Sequence, residues 1–160
     1  MKRRRNKDTR IMRTLRLWTY EDAARAVPYL RSVVGSLREH WLEAQSQRRA
    51  HERLDKQPGR PDRPRLLAAE QLHAGREEAE GRFNDVIQEL MNIDVYLLDP
   101  VQGVALIPFR KDDDLAWYVF DQFDERGVTG WRYHNDPLQQ CRPLAPTPGV
   151  LPGPAPMSPV

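Results

Sequence analysis

The stretch Lys56-Gln-Pro-Gly-Arg-Pro-Asp-Arg-Pro-Arg65 separates two apolar stripes. Ahead of it lie Ala23, Val27, Leu30, Val34, Leu37, Trp41 and Ala44; behind it lie Leu72, Ala79, Phe83, Val86, Leu90 and Ile93. Both stripes advance in three- and four-residue steps, the spacing that keeps side chains on one face of an α-helix. A short Pro-rich break between two such helices predicts an antiparallel hairpin, because the second helix can bury its stripe only by returning along the first. Folding back at that tip sets Leu37 by Phe83, Val34 by Val86, Leu30 by Leu90 and Trp41 by Ala79. Large then meets small at Trp41, which is expected to be the central knob of the hairpin.

The helix ends are readable too. Thr19 is a suitable N-cap, with Asp22 in the capping-box position and Glu21 near the positive helix end. Pro28 falls two turns in and is expected to kink the first helix without ending it, since the stripe keeps its phase across it. The second helix is expected to start near Arg65 and to end near Asn92. Near the hairpin base a further stripe of Tyr29, Val33, Ile87 and Met91 needs a cover.

The C-terminal third supplies one. Asp94-Val-Tyr-Leu-Leu98 reads as β, and Gly103 to Phe109, Leu115 to Phe120 and Val128 to His134 are rich in β-branched and aromatic residues. Turn-like Lys111-Asp-Asp-Asp114 and Glu125-Arg-Gly127 separate the last three, as in an antiparallel meander. The expected fold class is therefore α+β: a long antiparallel two-helix hairpin (19–92) followed by a small antiparallel β meander (94–144), one domain over 16–144. A basic leader (1–15) and a Pro-rich tail (145–160) are expected to be disordered.

Composition bounds the function. The 160 residues are 39% hydrophobic and 30% charged, with a single cysteine. No apolar run approaches the roughly 18 residues needed to span a bilayer, so no membrane partner is expected, and Cys141 cannot form an internal disulfide. A cytoplasmic setting is expected. The net charge of +2 rests largely on the leader, whose residues 1–11 hold Lys2, Arg3, Arg4, Arg5, Lys7 and Arg10 against Asp8 alone. The remaining body is mildly acidic, unlike a globally basic nucleic-acid binder. Met12, just ahead of Leu15-Arg-Leu-Trp18, is an alternative start.

Several short elements, in order, carry a resemblance. Trp18-Thr-Tyr-Glu-Asp-Ala-Ala-Arg-Ala-Val-Pro-Tyr-Leu30, then Asp99 and Gly103, Asp124-Glu125, Tyr133-His134 and Arg142-Pro-Leu144 resemble an uncharacterised bacterial family, domain of unknown function 2203. That family's pattern is a Phe-Thr start, an acidic and Ala-rich turn leading to Leu-Pro, a long hairpin, and a β end with Gly-Glu, Trp-His and Arg-x-Pro-Leu elements. This chain carries Phe120 where the pattern has Trp, Asp124 for the Gly of Gly-Glu, Tyr133 for the Trp of Trp-His, and a shorter loop before Arg142. The resemblance covers residues 16–144 and implies no activity.

Chemical candidates are few. Glu70 and His73 have the Glu-x-x-His spacing of di-iron bundles, but in one copy and off the apolar stripe, so they read as a solvated face. His40 and His51 lie about 16 Å apart at the helical rise, too far to share an ion. Asp112-Asp-Asp114 lacks the alternating ligands and distal Glu of a calcium loop. Cys141 with His134 has no third group to make a nucleophile. No phosphate-cradling glycine loop, serine elbow or zinc spacing is present, so no metal, cofactor or catalytic residue is assigned and an enzyme is not the expected class. The polar cluster worth testing is Glu125, His134 and Arg142, which the resemblance also singles out; these are expected to converge at one end of the sheet. Strand alternation puts Arg132 and His134 on the face opposite Trp131 and Tyr133.

The function expected is that of a non-catalytic helical interaction or scaffold protein, a homodimer associating through the hairpin or a binder of another protein. One alternative is a nucleic-acid-associated protein using the basic arm Lys2, Arg3, Arg4, Arg5 and Lys7. The other is a small-molecule or metal site in the β end.

Overall fold

The computed structural model describes residues 14–144. The basic arm from Lys2 to Lys7, the alternative start at Met12 and the tail from Ala145 to Val160 lie outside the described residues.

Two long helices lead the domain: α1 (Tyr20–Asp55) and α2 (Arg63–Asn92). Thr19 caps α1 as its sequence requires, its hydroxyl accepting the Asp22 N–H at 3.1 Å, and the helix runs through Pro28 unbroken. At α2 the N-cap is Asp62, accepting the Arg65 N–H at 3.0 Å, so the helix starts two residues earlier than the sequence suggests. Pro64 belongs inside that first turn, where its missing N–H would have no intrahelical partner anyway. Arg65 also donates to the Asp55 and Gly59 carbonyls at 3.1 and 3.3 Å, closing the hairpin tip.

Fold-back sets Tyr29 against Glu89 through a hydrogen bond, and Trp41 against Phe83 with ring centroids 5.5 Å apart. Trp41 is thus not the buried central knob of the hairpin. It is half-buried and leans toward Phe83, while Ala44 and Ala79 are the buried residues of the outer shaft. The physical reason is that the core shared with the strands reaches only as far as Leu37 and Phe83.

Asp94, expected to open a strand, instead ends α2 in the left-handed region at φ 58°. Its N–H reaches the Met91 carbonyl and the Val95 N–H reaches that of Leu90, at 3.1 and 3.0 Å, a Schellman ending with Asp in the place usually held by Gly. Five strands follow, β1 (Tyr96–Asp99), β2 (Val104–Lys111), β3 (Asp114–Asp121), β4 (Val128–Tyr133) and β5 (Arg142–Pro143), in sheet order β1-β2-β3-β4-β5, every pair antiparallel. The β2–β3 connection is a two-residue turn whose central Asp112 and Asp113 both have positive φ, 49° and 69°, the geometry that suits the twist of a hairpin.

The inner sheet face buries Ala105, Ile107, Phe109, Ala116, Tyr118 and Phe120 against Leu30, Val33, Val34, Leu37 and Leu90 of the helices. This covers the base stripe: Val33 is buried and Ile87 packs on the core, whereas Tyr29 stays exposed. The segment before α1 clasps the assembly. The Trp18 N–H donates to the Pro108 carbonyl at 2.8 Å, its indole N–H to the Ile93 carbonyl at 3.1 Å, and the Arg16 N–H to the Asp94 carboxylate at 2.9 Å. Since the N–H and C=O of a strand residue point to the same side, the N–H that Pro108 lacks would face the edge that β1 has already left, which makes a proline tolerable in this strand.

Candidate functional site

The structure separates the three polar candidates. Glu125 lies in the β3–β4 turn three residues before β4, and His134 follows β4 directly, so the length of the strand, about 20 Å, stands between them. Glu125 is exposed, and its backbone carbonyl accepts from Arg31 at 3.4 Å. The same guanidinium holds the Gln122 and Asp124 carbonyls, the latter at 3.1 Å, so Arg31 fastens this turn to α1. Asp124 in turn is paired with Arg126 at 2.9 Å; that hydrogen-bonded guanidinium, with Arg31 nearby, lowers the carboxyl to a pKa of about 2.

His134 and Arg142 sit on opposite sides of the sheet, as alternation requires. On the outer face the Trp117 indole N–H donates to His134 Nδ1 at 3.1 Å, and the Trp117 ring meets Tyr96 edge-on at 5.6 Å. His134 therefore joins an outer aromatic row. On the inner face Arg142 lies over Trp131 and Tyr133, 5.4 and 5.0 Å from their ring centroids. It also grips Asp136 with Nε at 3.2 Å and Nη2 at 3.1 Å. Asp136 further accepts the Tyr133 N–H at 2.8 Å, and the Arg142 hydrogen bond holds its carboxyl below the usual range. This two-pronged pair with two aromatic rings is a structural pin for the short strand β5.

Asp136 is the partner that the sequence reading missed. The turn signal Asn135-Asp136-Pro137 was there to find it. Arg132, facing outward, is buried, with Nη2 on the Asp136 carbonyl and with Nε and Nη1 lacking a hydrogen-bond partner among the described residues. Cys141 packs over Gly130, where a Cβ would collide with its sulfur and with the Arg142 carbonyl; burial pushes its thiol up.

The remaining candidates occupy solvated faces. His73 pairs with Glu77 at 3.3 Å and His51 with Asp55 at 3.2 Å, each one turn along its helix, and Glu70 is exposed. Asp112 and Asp113 form the tight turn, with Asp113 paired to Arg110. Among the described residues no three His, Cys, Asp or Glu side chains are grouped to hold a metal ion, and no helix is long and apolar enough to cross a membrane. Two concavities stand out. A groove of about 440 Å³ runs along α1 between Trp41, Leu42, Gln45, Ser46, Arg49, Arg53 and the β1–β2 turn residue Val101. One of about 330 Å³ lies at the far sheet end, beside Asp114, Leu115, Tyr133, His134 and Asn135.

A helical hairpin closed at its base by a five-stranded meander defines the class of this domain. The chain belongs to the family of uncharacterized conserved proteins DUF2203, whose family model matches residues 16–144. No curated protein and no solved structure matches it.

Proposed function

We propose that this is a non-catalytic helical interaction protein of the cytoplasm, docking through the outer half of its hairpin. The observation that carries the reading is the unequal closure of the helices. Beyond the sheet, from Trp41 to the tip, Ala44 and Ala79 are the buried residues, while Leu42, Leu66 and Leu67 are exposed. Extending a hairpin past its own core costs chain entropy without burial in return, unless the extension meets something. The dispersal of Glu125, His134 and Arg142 supports the same reading, since a catalytic centre needs its groups within hydrogen-bond reach of one reacting atom.

A second reading has its own support. Arg49, Arg53, Lys56, Arg60 and Arg63 are exposed around the tip, and with the arm Lys2 to Lys7 they could neutralise phosphates. Affinity capture from native lysate with the full chain as bait, with and without nuclease, separates the two. Retained protein that survives nuclease supports protein docking; retention abolished by nuclease and by moderate salt supports nucleic acid.

A further inference from the structure

Along α1 the residues Glu39, Leu42, Glu43, Ser46, Arg49 and Arg53 are all exposed and fall on one helix face in three- and four-residue steps. Their charges are segregated: two carboxylates, a small central serine, two guanidiniums. Glu39 and Glu43 are like charges at i,i+4, and so are Arg49 and Arg53, an arrangement unfavourable in a lone helix. The same helix shows the opposite habit elsewhere, with Arg25 on Glu21, Arg48 on Glu52 and His51 on Asp55. Among the described residues none of the four segregated charges has an ion pair.

The pattern is symmetric about Ser46: Glu43 lies three residues before it and Arg49 three after, Glu39 seven before and Arg53 seven after. We propose that this face binds a second copy of the chain, α1 against α1 antiparallel, crossing at Ser46. A two-fold axis there sets Glu43 against the other copy's Arg49 and Glu39 against its Arg53, each contact occurring twice. Both repulsive pairs become attractive ones, and the small serines let the helices approach closely. This occupant names the partner within the interaction reading above and rests on it.

The flanking surface fits the same occupant. The groove beside this face is walled by Trp41 and Val101, and Arg38 holds the wall in place. Its Nε donates to the Val101 carbonyl at 2.8 Å and its guanidinium lies 5.2 Å from the Phe123 ring centroid. Val101 and Phe123 are 49% and 64% exposed. In the antiparallel arrangement the tip of the second hairpin passes over these two side chains, and two hairpins together form a four-helix arrangement of the kind that completes a thin core.

Charge reversal tests the pairing with the full chain. In light scattering at tens of micromolar and low salt, the 18.7 kDa chain is expected to show twice that mass. The double variant Glu39→Lys, Glu43→Lys carries four cations on the face, and Arg49→Glu, Arg53→Glu carries four anions, so each alone is expected at the monomer mass. Mixed in equal amounts they are expected to recover the doubled mass as a heterodimer, and high salt is expected to dissociate the wild type. All the substitutions are at exposed positions, and unchanged helical circular dichroism verifies that each variant is folded. A monomeric wild type, a variant that stays dimeric alone, or a mixture that stays monomeric overturns the self-pairing. A monomeric wild type that still retains a nuclease-resistant protein partner overturns it while leaving the interaction reading standing. A monomeric wild type whose nucleic-acid retention is lost on Arg49→Glu, Arg53→Glu overturns both.

Discussion

The two halves of the hairpin carry the same kind of apolar stripe and meet different fates. At the base Leu30, Val33, Val34, Leu37 and Leu90 are buried because a sheet lies across them; toward the tip the stripe thins to Ala44 and Ala79, with Trp41 half-covered. A helical stripe specifies which face turns inward. How much that face contributes depends on what is laid against it, and here the third layer reaches only the inner half.

The largest expected effect comes from emptying the base. Phe120→Ala removes a fully buried ring between sheet and helices and is expected to cost about 3–5 kcal/mol in denaturant melts. Trp41→Ala, only partly buried beside Phe83, is expected to cost less, about 2 kcal/mol, since part of its surface already meets water. Equal losses would erase the distinction between the halves.

The clasp before α1 is next in size. Asp94 holds the Arg16 N–H and occupies a left-handed backbone position, so Asp94→Ala is expected to cost about 1–2 kcal/mol. Asp94→Gly relieves the backbone but loses the carboxylate, so it is expected to fall between wild type and Asp94→Ala.

Much of this architecture was legible in the sequence. Thr19, the two stripes and the Pro-rich tip give the hairpin, because helix caps and periodicity are local signals. The meander was legible for the same reason, apart from β5, a two-residue strand too short to have a pattern. What escaped were contacts between distant parts of the chain. Trp18 belongs to neither the helical stripes nor the strands, and its role in the core comes from bonds to Ile93 and Pro108, which no local window contains. The supposed cluster failed for a related reason. Glu125 and His134 are near neighbours in sequence, but an extended strand between them carries them to opposite ends of the sheet. Arg142 found Asp136 instead, through a turn that folds the chain back within six residues.

Smaller effects sharpen the account of the β end. Asp113→Gly places the residue best suited to positive φ in the β2–β3 turn and is expected to stabilise the domain by about 0.5–1 kcal/mol in thermal melts. Destabilisation would mean that the Arg110 pairing outweighs the backbone preference. Asp124 and Asp136 both have carboxyls held below their unfolded values by hydrogen-bonded arginines. Their contribution is therefore complete above the ordinary carboxylate range and is lost as pH falls toward the folded values, about 2 for Asp124. Asp136→Asn is expected to flatten the acid limb of stability measured between pH 5 and about 2. An unchanged limb would show that the pin is not electrostatic.

Hydrogen exchange along α1, measured at micromolar and again at hundred-micromolar protein, tests most directly the division between a closed base and a docking tip. The account predicts that amides near Leu30 to Leu37 exchange only with global unfolding at both concentrations, while those from Leu42 to Arg53 exchange faster when dilute and gain protection when concentrated. Uniform protection along the whole helix, unaffected by concentration, would contradict it.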